Sequence, residues 1–361
     1  MLPYDPPTLP FSVDMETPAV LRKLASAHRF LAELKGVSQT IPNVNILINT
    51  LSLQEARKSS EVENIITTQD EMFQADIFED FPNAAAKEVS SYSHALQKGF
   101  VLLKKQGMLT TNDIISMHCE LGCSIPGMRK LPGTDLKNKQ TGETIYVPPQ
   151  EHEKIVSLMT NLERFMNDDS LSAADPLVKM AMIHYQFETI HPFHDGNGRT
   201  GRIINVLYLV LKQLLTIPVL YLSRYIITHK NEYYRLLQEV RDGGMHEAWV
   251  LFMLDGIEST SRETILIIES IRTLMLDYKH RIRAQHKFYS QDLLNDLFRH
   301  PYTKIEFIEK DLNVSRITAT KYLETLVNDG YLEKRKYGRD NFYINTPLVS
   351  IFLKSDSDKD R

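Results

Sequence analysis

The segment at residues 191–202, HPFHDGNGRTGR, combines glycines and charged side chains at a spacing suited to holding an anion. Gly196 and Gly198 let the backbone curl so that successive N–H groups point inward, and the helix that follows adds the positive end of its dipole. Arg199 and Arg202 lie on one face of that helix and present planar donor forks to phosphate oxygens. The segment predicts a loop that binds a polyphosphate.

Three other side chains of this loop supply the remaining parts of a group-transfer reaction. Asp195 is a hard oxygen ligand, of the kind that holds Mg²⁺ bridging phosphates. The Asn197 amide can donate a hydrogen bond to a phosphate oxygen. His191 carries an imidazole, which ordinarily titrates near neutral pH, and is the candidate general base. A polyphosphate, a metal ion and a base together indicate transfer to a nucleophile.

Two other interpretations of the loop are disfavoured by its surroundings. Residues 196–201 formally match the dinucleotide fingerprint GxGxxG, but that fingerprint needs a preceding strand and an acidic residue about 20 positions later. A helical pattern precedes the loop, and residues 216–223 contain no acid. A zinc protease is disfavoured because no HExxH pattern is present. The side chains that could form such a metal cluster are His184, Glu188, His191 and His194. We expect His184 to be a core histidine.

The composition is that of an ordinary globular protein with two or three domains. The chain has 361 residues, of which 42% are hydrophobic and 24% charged, which excludes a disordered or collagen-like chain. Its net charge of −4 argues against a surface that generally attracts nucleic acid or membranes. The proline-rich start has no secretory-signal pattern, and the apolar window 203–222 is interrupted by Lys212 and Pro218. We expect a cytoplasmic protein without a membrane span.

The two cysteines, Cys119 and Cys123, are too few for a disulfide framework and indicate a reducing compartment. Their i,i+4 spacing on a predicted helix favours buried, inert thiols. Neither is expected to take part in chemistry.

Helical periodicity dominates up to about residue 285 and predicts a mainly α fold. The segments with the clearest helical pattern are 18–34, 43–57, 177–190, 200–215 and 259–285. Residues 127–149 break this pattern, since turn residues at 137–142 precede an extended stretch at 144–147, and they predict a β-hairpin. The pattern alone leaves open whether the hairpin is structural or holds a substrate.

The last part of the chain has a different order of elements. A short helix at 303–312, a helix from the N-cap Ser315 to Asp329, and strands at 331–336 and 341–345 are typical of a winged helix-turn-helix. Three side chains on the second helix could reach base edges in DNA, namely Arg316, Thr320 and Lys321. Such a unit equally serves protein interaction or dimerisation, and the sequence leaves both open.

The loop resembles the Fic family motif HxFx(D/E)GNGRxxR at every defined position. The matching residues are His191, Phe193, Asp195, Gly196, Asn197, Gly198, Arg199 and Arg202. The resemblance extends over roughly residues 1–256 and implies a helical Fic core with a short β-hairpin flap, followed by the winged helix. The implied divisions are an N-terminal helical region (1–105), the catalytic core (106–256), a connecting helix (257–286) and the winged helix (287–350).

The resemblance implies AMP transfer from ATP to a Ser, Thr or Tyr hydroxyl of a protein, including the chain itself. His191 would take the hydroxyl proton and Asp195 would hold Mg²⁺. The implied ATP-binding residues are Asp195, Gly196, Asn197, Gly198, Arg199, Thr200, Gly201, Arg202 and Tyr233. The hairpin residues Thr144, Ile145 and Tyr146 would align a target segment by strand addition. Retention of Gly198 favours nucleotidyl transfer over phosphorylation, and a homodimer is also implied.

A second, shorter pattern resembles the family's inhibitory motif (S/T)xxxE(G/N). It is formed by Ser59, Glu63 and Asn64 in the segment 59–64. The resemblance implies that Glu63 pairs with Arg202 and denies this arginine to the γ-phosphate. It also implies a reverse activity, in which the same glutamate helps to orient a water for removal of AMP.

Two other functions remain open from the sequence. One is a DNA-binding regulator with a Fic core, which would contact DNA through residues 303–345. The other is a Fic enzyme with a different donor, namely UTP, GTP or a choline diphosphonucleotide, because the phosphate-binding loop does not contact the base.

Overall fold

Helices form most of the chain in the computed structural model. It describes residues 2–75, 83–123, 125, 127–137, 141–337 and 340–357. The helices before the hairpin are α1 (Pro18–Ser38), α2 (Val44–Val62), α3 (Gln69–Ala75), α4 (Ala84–Gln106) and α5 (Thr111–Glu120). Those after it are α6 (His152–Asn167), α7 (Pro176–Ile190), α8 (Asn197–Leu211), α9 (Leu222–Thr228), α10 (Lys230–Gly243) and α11 (His246–Gln285). The predicted mainly α fold is confirmed. Among the described residues, no helix is both long enough and apolar enough to cross a bilayer.

The predicted hairpin is present as two short antiparallel strands, β1 (Leu136–Lys137) and β2 (Thr144–Tyr146). Leu136 pairs with Tyr146, and Lys137 pairs with Thr144. Part of the predicted turn, residues 138–140, lies outside the described residues. The hairpin interrupts the helices between α5 and α6 and is followed by Pro148 and Pro149, which stop the strand.

Helices α7 and α8 lie at the centre of the fold and pack against each other. Asp175 caps α7 by accepting a hydrogen bond from the main-chain nitrogen of Leu177 at 2.8 Å. The sequence predicted a start of the next helix near residue 200, but α8 starts at Asn197. The reason is Gly196, which takes a left-handed conformation (φ 71°) that turns the chain directly into the helix. The GNGR segment therefore forms the first turn of α8.

The long helix α11 begins much earlier than the predicted 259, at His246, and runs to Gln285 without interruption. Its N-terminal part is apolar and buried, with Trp249 and Phe252 packed on each other at 6.1 Å between ring centroids. Gly256 lies within this helix and packs closely against Tyr225. A Cβ added at position 256 would stand 2.9 Å from the Tyr225 ring. The glycine thus serves close packing and does not end the helix.

The C-terminal part forms a small unit around a three-stranded antiparallel sheet, in which β5 (Asp340–Ile344) lies between β3 (Tyr302–Thr303) and β4 (Glu333–Tyr337). Its elements are α12 (Gln291–Arg299), β3 (Tyr302–Thr303), α13 (Ile305–Leu312), α14 (Arg316–Asn328), β4 (Glu333–Tyr337), β5 (Asp340–Ile344) and α15 (Thr346–Ser357). Ser315 caps α14 as predicted, accepting from the main-chain nitrogen of Thr318 at 3.3 Å. In the turn between β4 and β5, residues 338–339 lie outside the described part of the chain.

This C-terminal unit packs against the N-terminal helices α2 and α3. The Phe73 ring on α3 lies 5.5 Å from the Tyr302 ring and 6.2 Å from the Phe352 ring. The Tyr302 hydroxyl donates to Asp70, and the guanidinium of Arg335 lies 3.8 Å from the same carboxylate. The unit therefore contacts the helix that follows the segment 59–64.

Candidate active site

His191 ends α7 in a left-handed conformation (φ 49°), and this turn directs the chain into the loop. Arg129 fixes the turn, because its Nε donates to the His191 carbonyl at 2.8 Å and its Nη2 donates to the Pro149 carbonyl at 2.9 Å. Burial, with the positive charges of Arg129 and Arg241, lowers the pKa of His191 to about 3. The imidazole is therefore uncharged at neutral pH and can accept a proton.

The Asn197 side chain closes the loop instead of projecting from it. Its Oδ1 accepts from the Phe193 main-chain nitrogen at 2.9 Å, and its Nδ2 donates to the Phe193 carbonyl at 2.8 Å. The sequence predicted that this amide would donate to a phosphate, but both of its ends are used within the loop. Thr200 likewise donates to the Gly196 carbonyl at 2.9 Å. An anion at this end of α8 would therefore meet main-chain N–H groups of the first turn, which have no acceptor within the helix.

Arg202 is almost completely buried, at 1% exposure, and is held by the segment 59–64 as well as by its own helix. Its Nη2 lies 2.9 Å from Glu63 Oε1, its Nε donates to the Ser59 hydroxyl at 2.8 Å, and Nη2 also donates to the Ser59 carbonyl at 2.9 Å. Burial acts to raise the pKa of Glu63, but the charge and hydrogen bond of Arg202 outweigh burial and lower it. The pair is ionised at neutral pH.

The Glu63 carboxylate lies directly over the first turn of α8. A Cβ at Gly198 would collide with Glu63 Oε1 and stand 3.0 Å from Nη1 of Arg202. Asn64 lies just beyond the C-cap of α2 in a left-handed conformation (φ 65°), and its Oδ1 accepts from Lys230 Nζ on α10 at 2.9 Å. The segment 59–64 is thus fastened at both ends over the surface where the N–H groups of α8 would meet an anion.

The second arginine of the loop is paired with an acid that the sequence analysis missed. Arg199 Nη1 lies 2.7 Å from Glu88 Oε2 on α4, and Arg199 is buried. Glu88 is more than 100 positions away in sequence, so no local spacing indicates this contact. Both arginines of the loop, Arg199 and Arg202, therefore form ion pairs with carboxylates in this structure.

Asp195 presents an exposed carboxylate beside His118 and Cys123, and the candidate ligand atoms of all three lie within 4.8 Å of one another. His118 donates from Nε2 to the Asp195 carbonyl at 3.0 Å, and its ring stacks on Phe193 at 3.8 Å. Burial and the neighbouring Asp195 raise the pKa of the Cys123 thiol to about 12, so the sulfur stays protonated and is a poor ligand. The exposed Asp195 carboxylate is a hard oxygen donor, which fits a magnesium ion that takes its other ligands from phosphates and water.

The prediction of two buried thiols is wrong for Cys119. Helix α5 ends at Glu120, and Cys119 lies exposed on its outer face. Cys123 lies beyond the helix and is half-buried. The sequence predicted a helix that includes both cysteines, but α5 stops before Cys123, because Leu121 is its C-cap and Gly122 takes a left-handed conformation (φ 71°).

A cleft of about 510 Å³ opens between the end of α2, the hairpin and α10. Its lining residues are Val62, Glu63, Asn64, Leu136, Lys137, Ile145, Tyr146, Glu188, Lys230, Tyr234, Leu237, Gln238 and Arg241. No residue of the loop 191–202 is among them, but the cleft residues Glu63 and Glu188 lie against α8, at Gly198 and Gly201. The lining of the cleft combines apolar side chains with a few charged ones, a composition that is typical of sites for small ligands.

The predicted ring contact Tyr233 does not line this cleft. Its side chain is 1% exposed and its hydroxyl is bonded to His184 Nε2 at 2.8 Å. The neighbouring Tyr234 lines the cleft instead and is 46% exposed. One helical position changes the direction of a side chain by about 100°, and sequence alone did not fix which tyrosine faced outward. His184, as expected, is a core histidine that stacks on Trp249.

The hairpin forms one wall of the cleft and is anchored by Tyr146. The Tyr146 hydroxyl donates to the Thr189 carbonyl at 2.6 Å, and the Arg241 guanidinium lies 3.8 Å from the ring centroid. Thr144 donates to Asp135 at 3.1 Å, while Ile145 is 43% exposed. Tyr146 therefore fixes the hairpin, and Ile145 is the side chain of the three that is presented to solvent.

Comparison with known proteins places these features in one family. The N-terminal model of the Fic/DOC family matches residues 21–101, the Fic/DOC family model matches 108–209, and the model of the C-terminal domain of SoFic-like protein adenylyltransferases matches 274–348. The protein adenylyltransferase Fic of Aedes aegypti is 28% identical over 159 residues, which cover 44% of this chain and 30% of that protein. The Culex quinquefasciatus protein of the same name is 25% identical over 248 residues, which cover 66% of this chain and 44% of that protein. The chain spans less than half the length of these relatives.

Solved structures share the fold. A Fic family protein from Desulfovibrio desulfuricans G20 has a TM-score of 0.58 at 19% identity, covering 93% of this chain and 97% of that one. Fic-1 of C. elegans, residues 134–508, has a TM-score of 0.53 at 19% identity, covering 70% and 73%. The family models, the loop at the start of α8 and the shared fold agree, and the chain belongs to the Fic family.

Proposed function

We propose that the protein transfers AMP from ATP to a hydroxyl side chain of a protein, itself included, and that Glu63 restrains this transfer. The observation that carries the proposal is the placement of an uncharged His191 between α7 and the N-terminus of α8, three positions after the cleft residue Glu188. The relatives named above as protein adenylyltransferases support the same reaction.

In the proposed reaction the target hydroxyl gives its proton to His191 while its oxygen attacks the α-phosphorus of ATP. The new bond joins that oxygen to phosphorus, the bond to the bridging oxygen of the β-phosphate breaks, and pyrophosphate leaves with its electron pair. Negative phosphates close to His191 favour its protonated form, which makes it a stronger base than in the unliganded protein. The main-chain N–H groups of α8 and the arginine forks stabilise the phosphate charge.

Asp195 would hold a magnesium ion, which supplies positive charge to the phosphates when bound. The exposure of this carboxylate next to the start of α8 supports the assignment. The exposed edge of the hairpin at Ile145 would align the target segment by strand addition. Removal of AMP by the same site is a further proposal, which rests on the position of Glu63 next to the loop.

The reaction and the donor are tested together with the Glu63→Gly variant. The protein and a cell extract are incubated with each of the four ribonucleoside triphosphates, labelled either at the α- or at the γ-phosphate. We expect protein labelling from the α-labelled ATP and none from the γ-labelled form, because pyrophosphate leaves. Labelling from γ-labelled ATP would instead indicate phosphorylation. A stronger signal from UTP or GTP would assign a different donor, and no labelling from any of them would contradict nucleotidyl transfer.

Duplex DNA is a second candidate ligand, bound by the C-terminal unit if it acts as a winged helix. The observation in its favour is that α14 exposes Arg316, Ile317 and Lys321 on its surface. Arg316 faces Glu309 at 3.4 Å, so DNA would have to displace this acid. We expect binding at low salt that weakens steeply as salt rises, measured by fluorescence anisotropy, and a loss with Lys321→Ala. Absence of binding at low salt would exclude this function. The homodimer and the cytoplasmic location stay predictions.

A further inference from the structure

A buried carboxylate at the inner end of the cleft has no part in the reaction described above. Glu188 lies on α7, one helical turn before His191, and its side chain lines the cleft. The residue is only 9% exposed, and its Oε1 is shielded from solvent with no hydrogen-bond partner among the residues that the structure describes. Burying a carboxylate oxygen without a partner costs free energy, which a ligand that donates a hydrogen bond to it would recover.

The surroundings of Glu188 define where such a ligand would lie. Its Oε1 lies against α8 at Gly201. A Cβ added to Gly201 would stand 2.7 Å from this oxygen. Glu63 rests against the same helix one turn earlier, at Gly198. Burial raises the pKa of Glu188 to about 7, with the positive charge of Arg202 acting in the opposite direction. A substantial fraction of the side chain is therefore ionised at neutral pH and can accept hydrogen bonds.

The position of Glu188 relative to His191 indicates which part of a nucleotide reaches it. In the proposed reaction His191 lies beside the α-phosphorus, and the terminal phosphates extend over the first turn of α8. The base would lie further out, between the hairpin and Tyr234. Residues three apart on a helix are about 5–6 Å apart at Cβ, which places Glu188 beside the group joined directly to the α-phosphate. That group is the ribose, whose hydroxyls donate hydrogen bonds, whereas phosphate oxygens would be repelled by the carboxylate.

We propose that Glu188 accepts a hydrogen bond from a ribose hydroxyl of the bound nucleotide and thereby selects ribonucleotides over deoxyribonucleotides. The inference rests on the proposed function, because it needs a nucleotide in the cleft. It makes Glu188 a determinant of specificity that contacts the substrate. One hydrogen bond to a charged group corresponds to about 10- to 100-fold in affinity.

The test measures nucleotide binding without turnover. The parent protein carries Glu63→Gly, which frees Arg202, and His191→Ala, which blocks transfer. Titration calorimetry compares ATP, 2′-deoxy-ATP and 3′-deoxy-ATP, each with Mg²⁺. Glu188→Met removes the carboxylate acceptor and keeps a side chain of similar volume. Glu188→Gln keeps one acceptor oxygen. Glu232→Met on α10 is the matched control, because Glu232 is not among the residues that line the cleft. Should Glu188→Met fail to fold in a thermal melt, Glu188→Ala takes its place with the same expected result.

We expect the parent to bind at least one deoxynucleotide about tenfold or more weakly than ATP. Glu188→Met should abolish this difference, Glu188→Gln should keep part of it, and Glu232→Met should keep all of it. Equal binding of the three nucleotides by the parent, or unchanged discrimination in Glu188→Met, would overturn this inference alone. A parent that binds none of the three nucleotides would overturn the proposed function as well.

Discussion

Replacing Glu63 with glycine is expected to raise AMP transfer by up to about a thousandfold. Two unit charges about 4 Å apart attract by roughly 4 kcal/mol at an effective dielectric constant of about 20, before the cost of desolvation. At about 1.4 kcal/mol for each factor of ten, this pairing reduces the competent population by at most about a thousandfold. The substitution removes both the competing carboxylate and the side chain that covers Gly198.

The rate of label incorporation from α-labelled ATP measures this effect. Glu61→Gly is the matched control, because it also replaces an acid with glycine in the last turn of α2, while Glu61 pairs with Lys58 instead of Arg202. The control should label at the rate of the unmodified protein. Equal rates for Glu63→Gly and Glu61→Gly would show that the Glu63–Arg202 pair is not a brake.

Replacing His191 with alanine in the Glu63→Gly background is expected to reduce transfer by about 10²- to 10⁴-fold. This is the range that a positioned general base contributes. ATP binding should be retained, since the phosphate contacts proposed for the main chain of α8, Arg199 and Arg202 do not involve the imidazole. The measurement combines the labelling rate with the dissociation constant of ATP.

His194→Ala is the matched control for this substitution. His194 carries the second imidazole of the loop and is exposed to solvent. It should keep both binding and transfer. A His191→Ala protein that labels within a few-fold of its parent would show that another group takes the proton.

Sequence alone was sufficient to predict that the segment 191–202 joins two helices, whereas the chemistry assigned to its side chains stays a prediction. The hairpin and the C-terminal elements were also predicted, since turn residues and a helix cap mark their limits locally. The start of α8 was predicted too late in the sequence. The helical pattern of apolar residues begins only after the polar first turn, so it did not mark that turn as helical. The left-handed Gly196 starts the helix three residues earlier.

The ion pairs of the loop arginines could not be derived from local patterns. Glu63 and Glu88 lie more than 100 positions from the arginines they pair with, and only packing of α2 and α4 against α8 brings them there. A known motif pointed to Glu63, whereas nothing pointed to Glu88. The choice between Tyr233 and Tyr234 depends on the rotation of α10, which is set by the burial of Tyr233 against His184.

The most direct test of the account is the intact mass of the Glu63→Gly protein after incubation with ATP and Mg²⁺, beside the Glu63→Gly/His191→Ala protein. The account predicts that the first protein gains mass in whole units of AMP and that the second remains unmodified. Mass gained in units of phosphate, or AMP gained equally by both proteins, would contradict it.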